Sequence, residues 1–337
     1  GAPALAAITI AGVQLTDANI LWSDAVNGQE VRLEKFNLNT DPLTPGKPTA
    51  VDMTFSVNST KPKASVDVAL DSKIMVDMEK QQFALSGLTL TTQAQSTDLP
   101  FSTADIELNG DVSADLIKQL VEISDLAFSA KVNKDQQAID ATLTSNISSN
   151  LANQQTLLEG LKLTATINDP TLPNGKANIN LTANVAADMQ KQTVSLSSLA
   201  LEVFDLIVNA DVTASKISSD KPAVAGNLAI QPFNLRQLSK SLAIELPVMA
   251  DDSTLELVEL NSEFTASADS FSAIKLAVKL DQSQLTGRFA IANFAKPSFN
   301  FALNLDEIDA DRYLPPVQEE KAAPPASAAA AGTTELP

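Results

Sequence analysis

An eight-residue pattern with apolar side chains at its first, third, sixth and eighth positions recurs along this chain. It reads Val31, Leu33, Phe36, Leu38, then Phe83, Leu85, Leu88, Leu90, then Val121, Ile123, Leu126, Phe128, then Val194, Leu196, Leu199, Leu201, with a weaker copy at Thr156, Leu158, Leu161, Leu163. The copies at 83, 121, 156 and 194 start 38, 35 and 38 residues apart. A repeat of that length marks an architecture that grows by stacking neighbours. The likeness extends outside the pattern: Asp77-Met78-Glu79-Lys80-Gln81 reads like Asp188-Met189-Gln190-Lys191-Gln192, and Ala114-Asp115 and Ala187-Asp188 both stand two residues before Lys-Gln.

Between the copies, strict alternation predicts strands with one apolar and one polar face. Ala177, Ile179, Leu181, Ala183, Val185 and Ala187 share one phase, as do Val66, Val68, Leu70, Ile74, Val76 and Met78, with Ser72 as the gap. Ile274, Leu276, Val278, Leu280 and then Phe299, Phe301, Leu303, Leu305 continue the theme. The two-residue gap inside each pattern reverses the alternation, so a bulge or short turn is required there if both apolar pairs are to share a face. Turn signals fall at Asp24–Gly28, Asn109-Gly110-Asp111, Asn133–Gln137 and Asp169–Gly175. The spacing predicts one helix over Asn234–Leu242, capped by Asn234; Ser113–Val121 aligns with strand copies and is read as strand. The fold class is therefore all-β with few short helices: an elongated, curved, mostly antiparallel sheet of repeated units, possible as an open trough, with a β-sandwich as the alternative. Residues 1–315 form this domain, and the Pro/Ala-rich stretch 316–337 reads as a disordered linker or tail.

Composition narrows the chemistry. The chain has neither His nor Cys, which removes the commonest general base, thiolate nucleophiles and the usual zinc ligands. No Gly-rich phosphate loop is present, so no catalytic or cofactor-binding residue is assigned, and the chain is not read as an enzyme. Asp306, Glu307, Asp309 and Asp311 cluster before Arg312, but without calcium-loop spacing they read as a solvated strand end. Asp251-Asp252 reads as a loop, and Trp22 as a core plug. A formal net charge of −18 repels phosphates and excludes nucleic acid as a partner. Hydrophobic residues make up 44% but aromatics only 4%, so the repeated apolar face is aliphatic and smooth. Either that face fills a two-layer core or, since few amphipathic helices are available to cover it, it awaits a ligand.

The opening segment, from Ile8-Thr9-Ile10-Ala11-Gly12-Val13-Gln14-Leu15 through Trp22-Ser23-Asp24 to Asp41-Pro42-Leu43, resembles the AsmA family of Gram-negative bacteria. So does the closing Leu280-Asp281-Gln282-Ser283-Gln284-Leu285-Thr286-Gly287, followed by Asp306-Glu307-Ile308-Asp309-Ala310-Asp311-Arg312-Tyr313-Leu314-Pro315-Pro316. The resemblance spans about residues 8 to 316. It implies a periplasmic region attached to the inner membrane by segments outside this chain, a role in outer-membrane biogenesis, and kinship with chorein-type bridge-like lipid-transfer proteins. The expected partners are phospholipid acyl chains guided along an apolar groove, without cofactors; the alternative is a scaffold assisting outer-membrane protein assembly through strand edges. On that reading Phe83, Leu85, Val121, Ile123, Ile179, Leu181, Val185, Val194, Leu196, Phe299, Phe301 and Leu303 line the groove.

Overall fold

In the computed structural model, which describes residues 11–316, the alternating segments form a single sheet of seventeen strands. The first nine are β1 (Gln14–Asp24), β2 (Gln29–Thr40), β3 (Thr49–Thr60), β4 (Lys63–Asp77), β5 (Gln82–Ser96), β6 (Thr103–Asp115), β7 (Leu120–Lys134), β8 (Gln137–Asn150) and β9 (Gln155–Asn168). The rest are β10 (Lys176–Asp188), β11 (Thr193–Val203), β12 (Leu206–Ser215), β13 (Ala223–Phe233), β14 (Val258–Ser267), β15 (Ser270–Leu280), β16 (Ser283–Ala292) and β17 (Ser298–Leu305). Each strand pairs antiparallel with the next in the chain, giving an unbroken meander. No second sheet lies over it among the described residues, so the sandwich alternative falls away. The predicted tail lies outside the described residues from 317 onward.

The repeated Asp-x-x-Lys-Gln segments close three hairpins in the same way. Asp77, Asp115 and Asp188 each accept the backbone N–H three residues on, at 2.9 Å, from Lys80, Lys118 and Lys191. The same lysines return their Nζ to the carboxylates at 3.1, 3.2 and 2.8 Å. The turn takes Leu116–Gln119 out of the segment read as continuous strand, because the Asp115 carboxylate competes with the ladder for that backbone. The Lys118 N–H, followed by Gln82, holds the Asp115 carboxyl at about 2, and Lys191 with Gln155 lowers Asp188 in the same direction. Carboxylates depressed in the folded state stabilise it fully above their ordinary range near 3.8, and that stability is lost as pH falls through the folded value near 2. The thermal midpoint is accordingly expected to be flat near neutrality and to drop between about pH 4 and 2. Asp115→Asn should flatten part of that slope, which differential scanning calorimetry at a series of pH values would show.

The gap in each apolar pattern is a bulge. Register shifts fall between Leu85 and Leu88, Ile123 and Leu126, Leu158 and Leu161, and Leu196 and Leu199. The second gap residue is left-handed in every case, with φ of 62° at Gly87, 52° at Asp125, 63° at Gly160 and 53° at Ser198. Its N–H leaves the ladder and is taken by a side chain of the next strand: Asp111 for Gly87 (2.5 Å), Asn146 for Asp125 (2.8 Å), Asn184 for Gly160 (2.8 Å) and Asp211 for Ser198 (2.7 Å). In two bulges the preceding strand supplies the complementary donor, Ser72 Oγ to Ser86 O at 3.4 Å and Ser145 Oγ to Glu159 O at 3.2 Å. Backbone groups that a bulge removes from the ladder thus regain protein partners, although they stand at exposed positions. Asn184→Ala should cost up to about 1 kcal/mol by leaving the exposed Gly160 N–H to water, measurable as faster hydrogen exchange across β9–β10.

Three sequence expectations change here. Asn109-Gly110-Asp111 is not a turn but the middle of β6, because these residues oppose the bulges of β5 and β7. Ile274 leaves the face of Leu276, Val278 and Leu280, since a further bulge at Lys275 (φ 50°) turns it towards Glu263 on the other side. Trp22 is not a core plug: on the terminal strand β1 it is 52% exposed. The helix α1 (Leu235–Ser241) stands as the spacing predicts, with Asn234 Oδ1 accepting the Gln237 N–H at 2.8 Å.

Candidate functional site

Directly opposed residues of antiparallel neighbours point to the same side of the sheet, so the register assigns every side chain to a face. One row of opposed residues crosses all seventeen strands without a polar member. It begins Leu15, Leu38, Met53, Leu70, Leu90, Leu108, Phe128, Leu143. It continues through Leu163, Leu181, Leu201, Val208, Ile230, Leu260, Val278, Leu285 and Leu305. A second row on the same face, beyond the line of bulges, runs through Leu85, Val112, Ile123, Ile147, Leu158, Val185, Leu196 and Val212 to Phe289 and Phe301. All twelve residues named from the sequence lie on this face: Leu181 in the first row, Leu85, Ile123, Val185, Leu196 and Phe301 in the second, and Phe83, Val121, Ile179, Val194, Phe299 and Leu303 beside them. Between the strand ends no charged residue shares it.

The apolar face is the inner curve of the sheet. Alanine reports this cleanly, because its side chain is the same wherever it stands. The buried alanines, Ala94, Ala104, Ala177, Ala183, Ala210 and Ala273, all belong to the apolar face, at 4–8% exposure. No described alanine of the polar face is buried: Ala69, Ala225 and Ala302 are exposed, and Ala84, Ala127 and Ala200 are half-buried. With no layer above them, residues on one side of a single sheet crowd together only if the sheet bends towards that side. Bulges on alternate strands supply the bend. The large apolar residues of the inner curve are mostly half-buried in the middle strands, with Phe128 at 36% and Ile139 at 43%, and are more exposed on the last, where Phe299 and Phe301 reach 60% and 65%. The result is a trough open along its length, about 75 Å measured across strands at ~4.8 Å spacing.

Sequence reading missed one component. Opposite the bulges the intervening strands place small residues in the groove: Ser72, Gly110, Ser145, Ala183 and Ala210. Four of these precede the Asp or Asn that holds a bulge N–H, in Gly110-Asp111, Ser145-Asn146, Ala183-Asn184 and Ala210-Asp211. A small residue followed by Asp or Asn, in the strand after each apolar pattern, is the signal that would have found them.

At the far rim the chain folds back on the sheet. Asp281 accepts the N–H groups of Leu255 (2.8 Å), Glu256 (2.9 Å) and Leu257 (3.1 Å) and the Tyr313 hydroxyl (2.7 Å). Burial works against its charge, but Tyr313 and these N–H groups keep its pKa below the ordinary value. Burial, then the Asp281 acceptor, push Tyr313 up to about 12. Arg312 donates to Asp251 Oδ2 at 2.7 Å and to Gln282 at 2.7 Å, fixing the closing segment. These groups are engaged with one another, and among the described residues no acidic cluster is arranged to hold a metal ion. Nor is any described helix long and apolar enough to cross a membrane.

No curated protein and no solved structure matches the chain. The model of the AsmA family matches residues 3–336, nearly its whole length. The match contains the span of about 8 to 316 that the terminal motifs suggest and extends past it at both ends, and this chain belongs to the AsmA family.

Proposed function

We propose that this chain is a non-catalytic segment of a periplasmic, inner-membrane-anchored protein that guides phospholipid between the inner and outer membranes along its trough. Family membership supports a role in outer-membrane biogenesis and lipid transport. The observation that carries the finer reading is the unbroken apolar row from Leu15 to Leu305. An acyl chain of about 16 carbons loses ~0.8 kcal/mol per CH₂ on entering water, or on the order of 12 kcal/mol, so any gap in its path is a barrier. A continuous row one strand spacing apart removes the gaps. The lining is hydrocarbon, mostly aliphatic with phenylalanines such as Phe83, Phe128 and Phe301, and has few hydrogen-bonding groups, so no position holds a lipid much more tightly than its neighbours. The outer curve carries charges such as Asp67, Asp71, Glu107 and Glu202, which repel anionic head groups from the wrong face.

A photo-crosslinker at Leu181 in cells is expected to capture phospholipid, whereas one at Asp71 on the outer curve captures none. Capture of protein alone at Leu181, or lipid equally at both positions, would overturn the reading.

A further inference from the structure

Among the described residues β1 pairs only with β2 and β17 only with β16, and these two outermost strands differ in how they treat their outer edges. β1 is bulged at Asp17 (φ 52°) and carries Asp17 and Asp24, devices that prevent a further strand from adding. β17 has none of them. Its sequence Ser298-Phe299-Asn300-Phe301-Ala302-Leu303-Asn304-Leu305 contains no charge, proline or glycine, pairs with β16 without a register shift, and is exposed at every position. Asp306 N–H bonds to Gln284 O of β16 at 3.2 Å. Since an antiparallel ladder alternates, the backbone groups of Phe299, Phe301, Leu303 and Leu305 face the other way, towards the free edge. A flat, apolar, unprotected edge of this kind accepts a strand.

We propose that the occupant is a second copy of the chain, paired β17 to β17 about a two-fold axis through Ala302. This register sets Phe301 opposite Leu303 and Phe299 opposite Leu305 of the second copy, so backbone groups facing the edge meet their complements. The axis is perpendicular to the sheet, which keeps both apolar faces on the same side and joins the two troughs end to end. It also brings the exposed Lys296 of each copy beside the acidic run Asp306, Glu307 and Asp309 of the other. Pairing of like edges about a two-fold axis is isologous and closes at two copies. The surface is independent of whether lipid occupies the trough.

The chain has no cysteine, so one introduced thiol reads the register directly. Ala302 faces its own copy in a non-hydrogen-bonded pair, where Cα atoms stand ~4.5 Å apart, within disulfide range. Mild oxidation of purified Ala302→Cys should give a disulfide dimer in high yield. Asn300→Cys and Asn304→Cys should each give little alone but form a mixed dimer together. Leu303→Pro removes an edge-facing N–H while leaving the β16 ladder intact, and should abolish the concentration-dependent dimer seen by sedimentation. Equal disulfide yields at residues 300, 302 and 304 would overturn the proposal, as would wild type that remains monomeric at all concentrations. A foreign strand crosslinked to β17, with no dimer, would also overturn it and make the edge a site for a different protein.

Discussion

Leu181→Lys combined with Phe128→Lys is expected to strip co-purified lipid by at least about tenfold while leaving the protein folded. Both residues belong to the unbroken row, at the middle of the trough. An ammonium there denies three or four methylenes of a passing acyl chain their apolar contact, a loss of about 3 kcal/mol, or on the order of 100-fold in local occupancy. In a closed sandwich the same lysines would be buried without partners and would unfold the domain. In an open trough the ammonium reaches water, so circular dichroism and the thermal midpoint should change little. Thr182→Lys, on the outer curve, is the matched control and should retain lipid. Native mass spectrometry on gently purified protein decides the matter: undiminished lipid in the double variant, or none in the wild type, sinks the conduit reading.

The second large effect is local. Gly287 lies opposite the β15 bulge with φ 141°, and a Cβ there would stand 2.0 Å from Ala302 O and 3.0 Å from Leu303 Cα. Neither atom can yield without moving the β17 backbone. Gly287→Ala is therefore expected to cost about 2–4 kcal/mol. In a sheet where each strand touches only its neighbours, that loss stays near its origin. Hydrogen exchange should show β16 and β17 losing protection while β4 to β11 keep theirs. Gly87→Ala provides the contrast. It shares a positive φ, but a Cβ added there would meet nothing within 4 Å, and Asp125 and Ser198 occupy the equivalent position in other bulges. Its cost should be near ~1 kcal/mol. Uniform loss of protection along the sheet after Gly287→Ala would show that the array unfolds as one cooperative unit.

Much of the trough is legible in the sequence. Alternation assigned Leu181 and Ile179 to one face, and the two-residue gap at Ser86-Gly87 demanded a bulge there. Matching Asp-x-x-Lys-Gln segments marked equivalent hairpins, though the turn that the carboxylate of Asp115 builds was hidden behind apolar Leu116 and Ile117. Ile274 misled because four alternating apolar residues look like one face until a bulge at Lys275 intervenes. Gly110-Asp111 misled because the pair that signals a turn elsewhere here faces bulges on both neighbouring strands.

By itself the sequence determined that the chain is a run of strands, which side chains share a face between one bulge and the next, and that the apolar face repeats along the chain. These follow from the period of the pleat, which each segment carries within itself. Only the tertiary structure decided that Leu15 to Leu305 align into one row, that the sheet bends towards that row, and that no second layer closes over it among the described residues. Register, curvature and cover depend on partners dozens of residues away, and the same alternation serves equally well for a buried core and an open groove.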